Sequence, residues 1–149
     1  MTDRTIVLGM DGSVGSEAAA RWCIEMAPLL DAKVLVVHAL PPLLFLVPPT
    51  PTGAAAYADE DAVRRGLTLA LEEWCAPFRA SGIEYESRLV DGLAAETLMR
   101  IAGEVHSDLV VVGRRGHGGF AEMILGSVPH TLSHHCDVPV VIVPSEGPS

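Results

Sequence analysis

Four short apolar runs punctuate the chain: Ile6-Val7-Leu8, Val34-Leu35-Val36-Val37, Leu109-Val110-Val111-Val112 and Val140-Val141-Ile142-Val143. Each is β-branched and unbroken rather than alternating, as in strands buried on both faces of a parallel sheet. They predict strands over Arg4 to Met10, Lys33 to Ala39, Leu109 to Val112 and Val140 to Val143, the last opened by Pro139 and stopped by Pro144. A fifth segment, Ile83 to Val90, alternates Ile83, Tyr85, Ser87 and Leu89 against Glu84, Glu86 and Arg88. That period of two marks an edge strand with one wet face.

Helical spacing fills the intervals. Ala19, Trp22, Cys23, Met26 and Leu30 recur every three or four residues after Asp11-Gly12-Ser13, where Ser13 or Ser16 can cap the helix. Asp59 to Arg79 carries one stripe of Val63, Leu67, Ala70, Leu71, Trp74 and Phe78, and Pro77 should end or kink it. Ala95, Leu98, Ile101, Ala102 and Val105 form the inward face of a third helix. Val128 to His135 forms a fourth, with Pro129 in its first turn, where the missing N–H costs nothing. The order β-α-β-α-β-α-β-α-β with right-handed crossovers gives an open, doubly wound parallel sheet of five strands with helices on both faces. Its strand order is left open by the pattern alone, 2-1-3-4-5 being one common choice.

Glycine concentrates where the third apolar run ends. Gly113, Gly116, Gly118 and Gly119 follow it, so the backbone there can take positive φ, approach a ligand closely and turn N–H groups toward an anion. After nine intervening residues, His117 to Leu125, comes Gly126-Ser127, just before the fourth helix, so the Ser127 hydroxyl and the first N–H groups of that helix can close a phosphate cradle from the other side. Arg114 and Arg115 are the one place where positive charge and phosphate geometry coincide, with one of the two expected to point inward.

At Gly113, Gly116, Gly126 and Ser127 the chain resembles the ATP-binding branch of the universal stress protein family, whose signature is G-x2-G-x9-G-[S/T]. The resemblance extends to Val7-Leu8-Gly9-Met10-Asp11-Gly12-Ser13, similar to the family's first strand and its aspartate, and to Cys136 through Val143, similar to its last strand. It implies a Rossmann-like sheet of order 3-2-1-4-5 in the adenine-nucleotide alpha-hydrolase-like class, with the switch point between strands one and four. Ligands of such sheets sit at the C-terminal strand ends beside that point, where Gly9-Met10-Asp11 and Gly113 to Gly116 both arrive. The resemblance further implies that Asp11 touches the nucleotide, that the backbone at Ala39 meets adenine, and that the last strand, through Val140, Val141, Ile142 and Val143, pairs with its copy in a homodimer. Asp11 is suited to ribose hydroxyls or to a Mg²⁺ carried by the phosphates, and also to capping the first helix. His117 and Val128 complete the candidate nucleotide-binding set, while His38 reads as a packed core histidine. Val128-Pro129 departs from the family, in which a small or hydroxyl residue often follows the valine.

Composition narrows the classes. With 49% hydrophobic and 19% charged residues over 149 positions, the chain reads as one folded domain, residues 1–149, with a proline-rich loop at about 40–56 and a loose tail at 145–149. The loop exposes Leu43-Leu44-Phe45-Leu46-Val47 and reads as a connector, a lid or an interface. A net charge of −9 excludes a basic face for nucleic acid or an anionic membrane. Asp3 and Arg4 open directly into a strand with no apolar leader, so a cytoplasmic protein is expected. Cys23, Cys75 and Cys136 form no C-x-x-C, and His134-His135-Cys136 lacks a further ligand at metal spacing, so no metal bound by protein groups alone is expected.

There is no G-x-x-x-x-G-K-[S/T], no G-x-G-x-x-G after the first strand, no paired carboxylates and no residue evident to orient a hydrolytic water. The expected function is adenine-nucleotide (ATP, ADP or AMP) binding by a stress-response regulator, with hydrolysis at most slow. Two alternatives stay open at this point: a dimeric interaction module without nucleotide, and an enzyme that cleaves or transfers the phosphates.

Overall fold

A computed structural model describes residues 3–42, 59–117 and 125–145. The proline-rich stretch beyond Pro42, the glycines Gly118 and Gly119, and the tail from Glu146 lie outside the described residues. The elements run β1 (Arg4–Gly9), α1 (Val14–Leu30), β2 (Ala32–Leu40), α2 (Glu60–Trp74), α3 (Ala76–Ser81), β3 (Tyr85–Asp91), α4 (Ala94–Glu104), β4 (Leu109–Gly113), α5 (Ser127–His135) and β5 (Val140–Val143). The sheet order is β3-β2-β1-β4-β5, and every pairing is parallel.

The unbroken apolar runs are central because both of their faces are covered. Val7, Leu8, Val110 and Val111 are fully buried. Ile6, Leu8, Val34, Val36 and Val111 face a cluster built with α1, α2 and α3, where Cys23, Ala27, Leu71 and Phe78 pack. Val7, Leu35, Val37, Val110 and Val112 face a second cluster with Leu98, Ile101, Ala102 and Leu132 from α4 and α5. Each such side chain contributes about 1.5–3 kcal/mol by leaving water.

Beyond one-residue differences at strand and helix ends, two elements depart from the pattern-based expectation. The helix expected over 59–79 is two helices broken at Cys75, because Pro77 has no N–H to return to Glu73 and instead sits in the first turn of α3, which tolerates it. Among the described residues five helices therefore stand where four are expected. The third strand starts at Tyr85 rather than Ile83: Gly82 ends α3 in the left-handed region (φ 68°), and the Ile83 N–H returns to the Phe78 carbonyl at 3.2 Å as part of that helix end. β3 is the expected edge strand, with Arg88 and Glu86 paired on its wet face at 2.9 Å, although Val90 packs on the second cluster.

The strand ends that matter lie between β1 and β4, where the chain's winding direction reverses. Both strands deliver their C-terminal residues to that gap. Among the described residues no helix is long and apolar enough to cross a membrane.

Candidate functional site

The turn after β1 is built by short-range hydrogen bonds. Ser13 is the N-cap of α1, and its hydroxyl accepts from the Ser16 N–H at 3.2 Å. Asp11 accepts the Ser13 N–H at 2.9 Å on Oδ1, together with the Ser13 hydroxyl. Gly12 takes φ 79°, a left-handed conformation open to glycine at little cost, and its Cα faces the Trp74 ring so closely that a Cβ would sit 2.4 Å from Cζ2.

The loop after β4 comes down on this turn. Arg114 is pinned by its backbone: its N–H donates to the Val143 carbonyl at 2.8 Å, and its own carbonyl accepts the Gly126 N–H at 2.8 Å. Beyond it, the His117 N–H donates to Asp11 Oδ2 at 3.3 Å. His117 Nε2 lies 2.9 Å from the Asp11 carbonyl, which only accepts, so Nε2 carries the hydrogen. Asp11 thus joins the two turns, its side chain and its backbone each holding the second loop.

The glycines of the motif serve close approach. Gly113 and Gly116 do not adopt the positive φ that their composition suggests; among described glycines only Gly12, Gly82 and Gly92 do. A Cβ on Gly113 would lie 2.4 Å from the Gly15 carbonyl carbon and oxygen, and one on Gly15 would lie 2.0 Å from the Arg115 carbonyl oxygen. The first turn of α1 and the end of β4 therefore press backbone against backbone. At Gly116 a Cβ would meet Asp11 Oδ2 at 2.6 Å.

These turns enclose a cavity of about 340 Å³ at the C-terminal edge of the sheet. Gly9, Met10, Asp11, Ser13 and Ser16 line it from the first turn, and Val37 and Ala39 from β2. Ala94 and Leu98 of α4 line it too, with Val112, Gly113, Arg115, Gly116 and His117 from β4 and its loop, and Gly126, Ser127, Val128 and Pro129 from the start of α5. Of the two arginines Arg115 is the one that faces the cavity; Arg114 is not among its walls, and its Nε is buried without a hydrogen-bond partner. Gly118 and Gly119 lie outside the described residues.

The N-cap of α5 is Gly126 and the helix begins at Ser127, one residue earlier than the pattern predicts, with no side chain occupying the cap. The first-turn N–H groups of Ser127 and Val128 have no intrahelical acceptor, and the helix dipole places positive potential at the same end. Pro129 supplies no N–H, so that turn carries one donor fewer than an ordinary helix start.

Asp11 is the acidic residue of the cavity wall. Burial works against its charged form, but the hydrogen bonds from the Ser13 hydroxyl and N–H, from Ser16 and from the His117 N–H outweigh it and hold the carboxyl below its ordinary value. The acid is ionised at neutral pH and most of its acceptor capacity is already used. Among the described residues no group of three or more His, Cys, Asp or Glu side chains could hold a metal ion.

Sequence reasoning missed Gly15, Ser16, Ala94 and Leu98 as parts of this region. Gly15 finds its partner a hundred positions away, and Leu98 is marked only as the inward face of a helix. His38, taken as a packed core histidine, is half-buried and hydrogen-bonded, with Nδ1 2.7 Å from the Met10 carbonyl.

The universal stress protein family model matches residues 3–144. The chain is 32% identical over 146 residues to a universal stress protein of Mycobacterium tuberculosis strain H37Rv, covering 95% of this chain and 48% of that protein. It spans about half the length of the mycobacterial relatives it matches. A universal stress protein of Thermus aquaticus is 30% identical over 141 residues, 94% of this chain and 98% of that one. Among solved structures, a universal stress protein in complex with cAMP superposes with TM-score 0.71 at 27% identity, over 98% of this chain and 100% of the other.

Proposed function

The chain belongs to the universal stress protein family, and from that membership we propose that it is a stress-response regulator of the ATP-binding type, whose adenine-nucleotide occupancy changes its shape or partners. The observation that carries this reading is the meeting of two loops around one cavity: the Asp11 turn after β1 and the Gly113-x2-Gly116 loop after β4, with the open start of α5 beside them. Apolar walls from Val37, Leu98 and Val112 with the backbone at Ala39 suit a purine. Asp11 suits ribose hydroxyls. Arg115, the loop amides, the Ser127 hydroxyl and the N–H groups opening α5 suit phosphate, with Mg²⁺ arriving on the nucleotide. The relative with cAMP bound supports an adenine nucleotide as the ligand.

The protein acts by binding, with hydrolysis at most slow: among the described walls Asp11 is the one carboxylate, and it is already committed to hydrogen bonds. β5 forms one edge of the sheet with Val140, Val141 and Ile142 half-buried, and it pairs with its copy in a homodimer. Residues 1–149 form one nucleotide-binding unit. Calorimetric titration with ATP and with AMP tests the reading. Saturable binding that disappears in Asp11→Ala supports it, absence of binding to both rejects it, and multiple-turnover phosphate release would replace regulator with enzyme.

A further inference from the structure

The Asp11 carboxylate can face a ligand only if the backbone on both sides of it is fixed, and both neighbours are held by one pair of rings. On the N-terminal side, the Met10 N–H donates to the Val37 carbonyl at 2.9 Å, and the Met10 carbonyl lies 2.7 Å from His38 Nδ1. A carbonyl only accepts, so Nδ1 carries the hydrogen and donates it. On the C-terminal side, Gly12 lies against the edge of the Trp74 indole, closely enough that no side chain fits between them. The two rings also touch each other: His38 and Trp74 meet edge to face, with centroids 5.2 Å apart and planes at 84°.

His38 and Trp74 sit on the α1–α3 side of the sheet, and neither lines the cavity. Their effect on a ligand runs through the turn. We propose that His38, backed by Trp74, is a positioning residue for the nucleotide site: its Nδ1–H fixes the Met10 peptide, and the ring pair holds the Asp11 turn in the geometry that receives both the His117 loop and the ligand. The proposal rests on the nucleotide-binding reading above.

Trp74 is also the last residue of α2, and α2 follows directly on the proline-rich stretch. The turn carrying Asp11 is thus in van der Waals contact with the end of an element that lines no part of the cavity.

Two substitutions at one position separate the hydrogen bond from the packing. His38→Asn places an N–H donor the same number of bonds from the backbone as Nδ1 but lacks the ring, whereas His38→Phe keeps a ring against Trp74 and lacks the donor. Affinity for ATP and AMP is measured by calorimetry beside Tm for each. The proposal predicts that His38→Phe binds about five- to tenfold more weakly, the loss of one buried hydrogen bond, while His38→Asn stays within about threefold even where its Tm falls further. Wild-type affinity in His38→Phe, or losses that follow Tm in both variants, would overturn the positioning role and leave nucleotide binding standing. A wild-type protein that binds neither nucleotide would overturn both.

Discussion

Gly116→Ala separates the site from the fold. The backbone at Gly116 does not need left-handed φ, and the residue is exposed, so alanine fits the local conformation. Its Cβ, however, would sit 2.6 Å from Asp11 Oδ2, against the 3.4 Å at which ordinary contact begins, so something must give by about 0.8 Å. The carboxylate cannot swing aside, because its other oxygen is held by the Ser13 N–H at 2.9 Å and by the Ser13 hydroxyl. The loop lifts instead. It then forfeits the His117 N–H to Oδ2 at 3.3 Å and the His117 Nε2–H to the Asp11 carbonyl at 2.9 Å. At about 1 kcal/mol each, two lost hydrogen bonds leave the loop to be ordered by the ligand, which weakens binding by about 2 kcal/mol, or roughly 30-fold. The same two bonds should lower Tm by about 4–8 °C, with no core contact changed. Titration calorimetry with ATP and AMP, beside a thermal melt, reads both. Affinity within twofold of wild type at an unchanged Tm would refute the role assigned to the Asp11–His117 junction.

Further consequences follow from the same geometry. Gly113→Ala drives a Cβ to 2.4 Å from the Gly15 backbone, which cannot rotate away, so overpacking of about 1–3 kcal/mol should lower Tm by several degrees in a melt, with or without nucleotide. The Asp11 carboxyl titrates below its ordinary value of 3.8 in the folded chain, so its contribution to stability is complete above that value and is lost as pH falls through the lower one. The Tm gap between wild type and Asp11→Asn should therefore be widest near neutral pH and close in acid, as melts across a pH series would read. Pro129→Ala restores an N–H to the first turn of α5 beside the cavity and should tighten AMP binding about two- to threefold by calorimetry.

The sheet was legible in the sequence because each central strand is a continuous β-branched run, a pattern that burial on both faces alone requires. Its order came from the family resemblance, since periodicity carries no information about which strands neighbour. The motif glycines were legible by spacing, but the positive φ expected of Gly113 and Gly116 is not adopted, and the packing that Gly113 meets was not visible. Gly113 is small because α1 presses on it, and that pressure comes from Gly15, whose partner lies a hundred residues on. Trp74 was visible as one member of an apolar stripe, yet nothing local marks it as the residue that covers Gly12. The break at Cys75 was half legible. Pro77 announced an interruption, but a proline in the first turn of a new helix and a kink in an old one read alike along the chain.

The most direct test of nucleotide binding is to denature freshly purified protein and identify what it releases by anion-exchange chromatography. ATP, ADP or AMP at close to one molecule per chain, absent from Asp11→Ala and reduced in Gly116→Ala, is the predicted result. Protein that releases no nucleotide, and that shows neither heat of binding nor a thermal shift with added ATP or AMP, would contradict it.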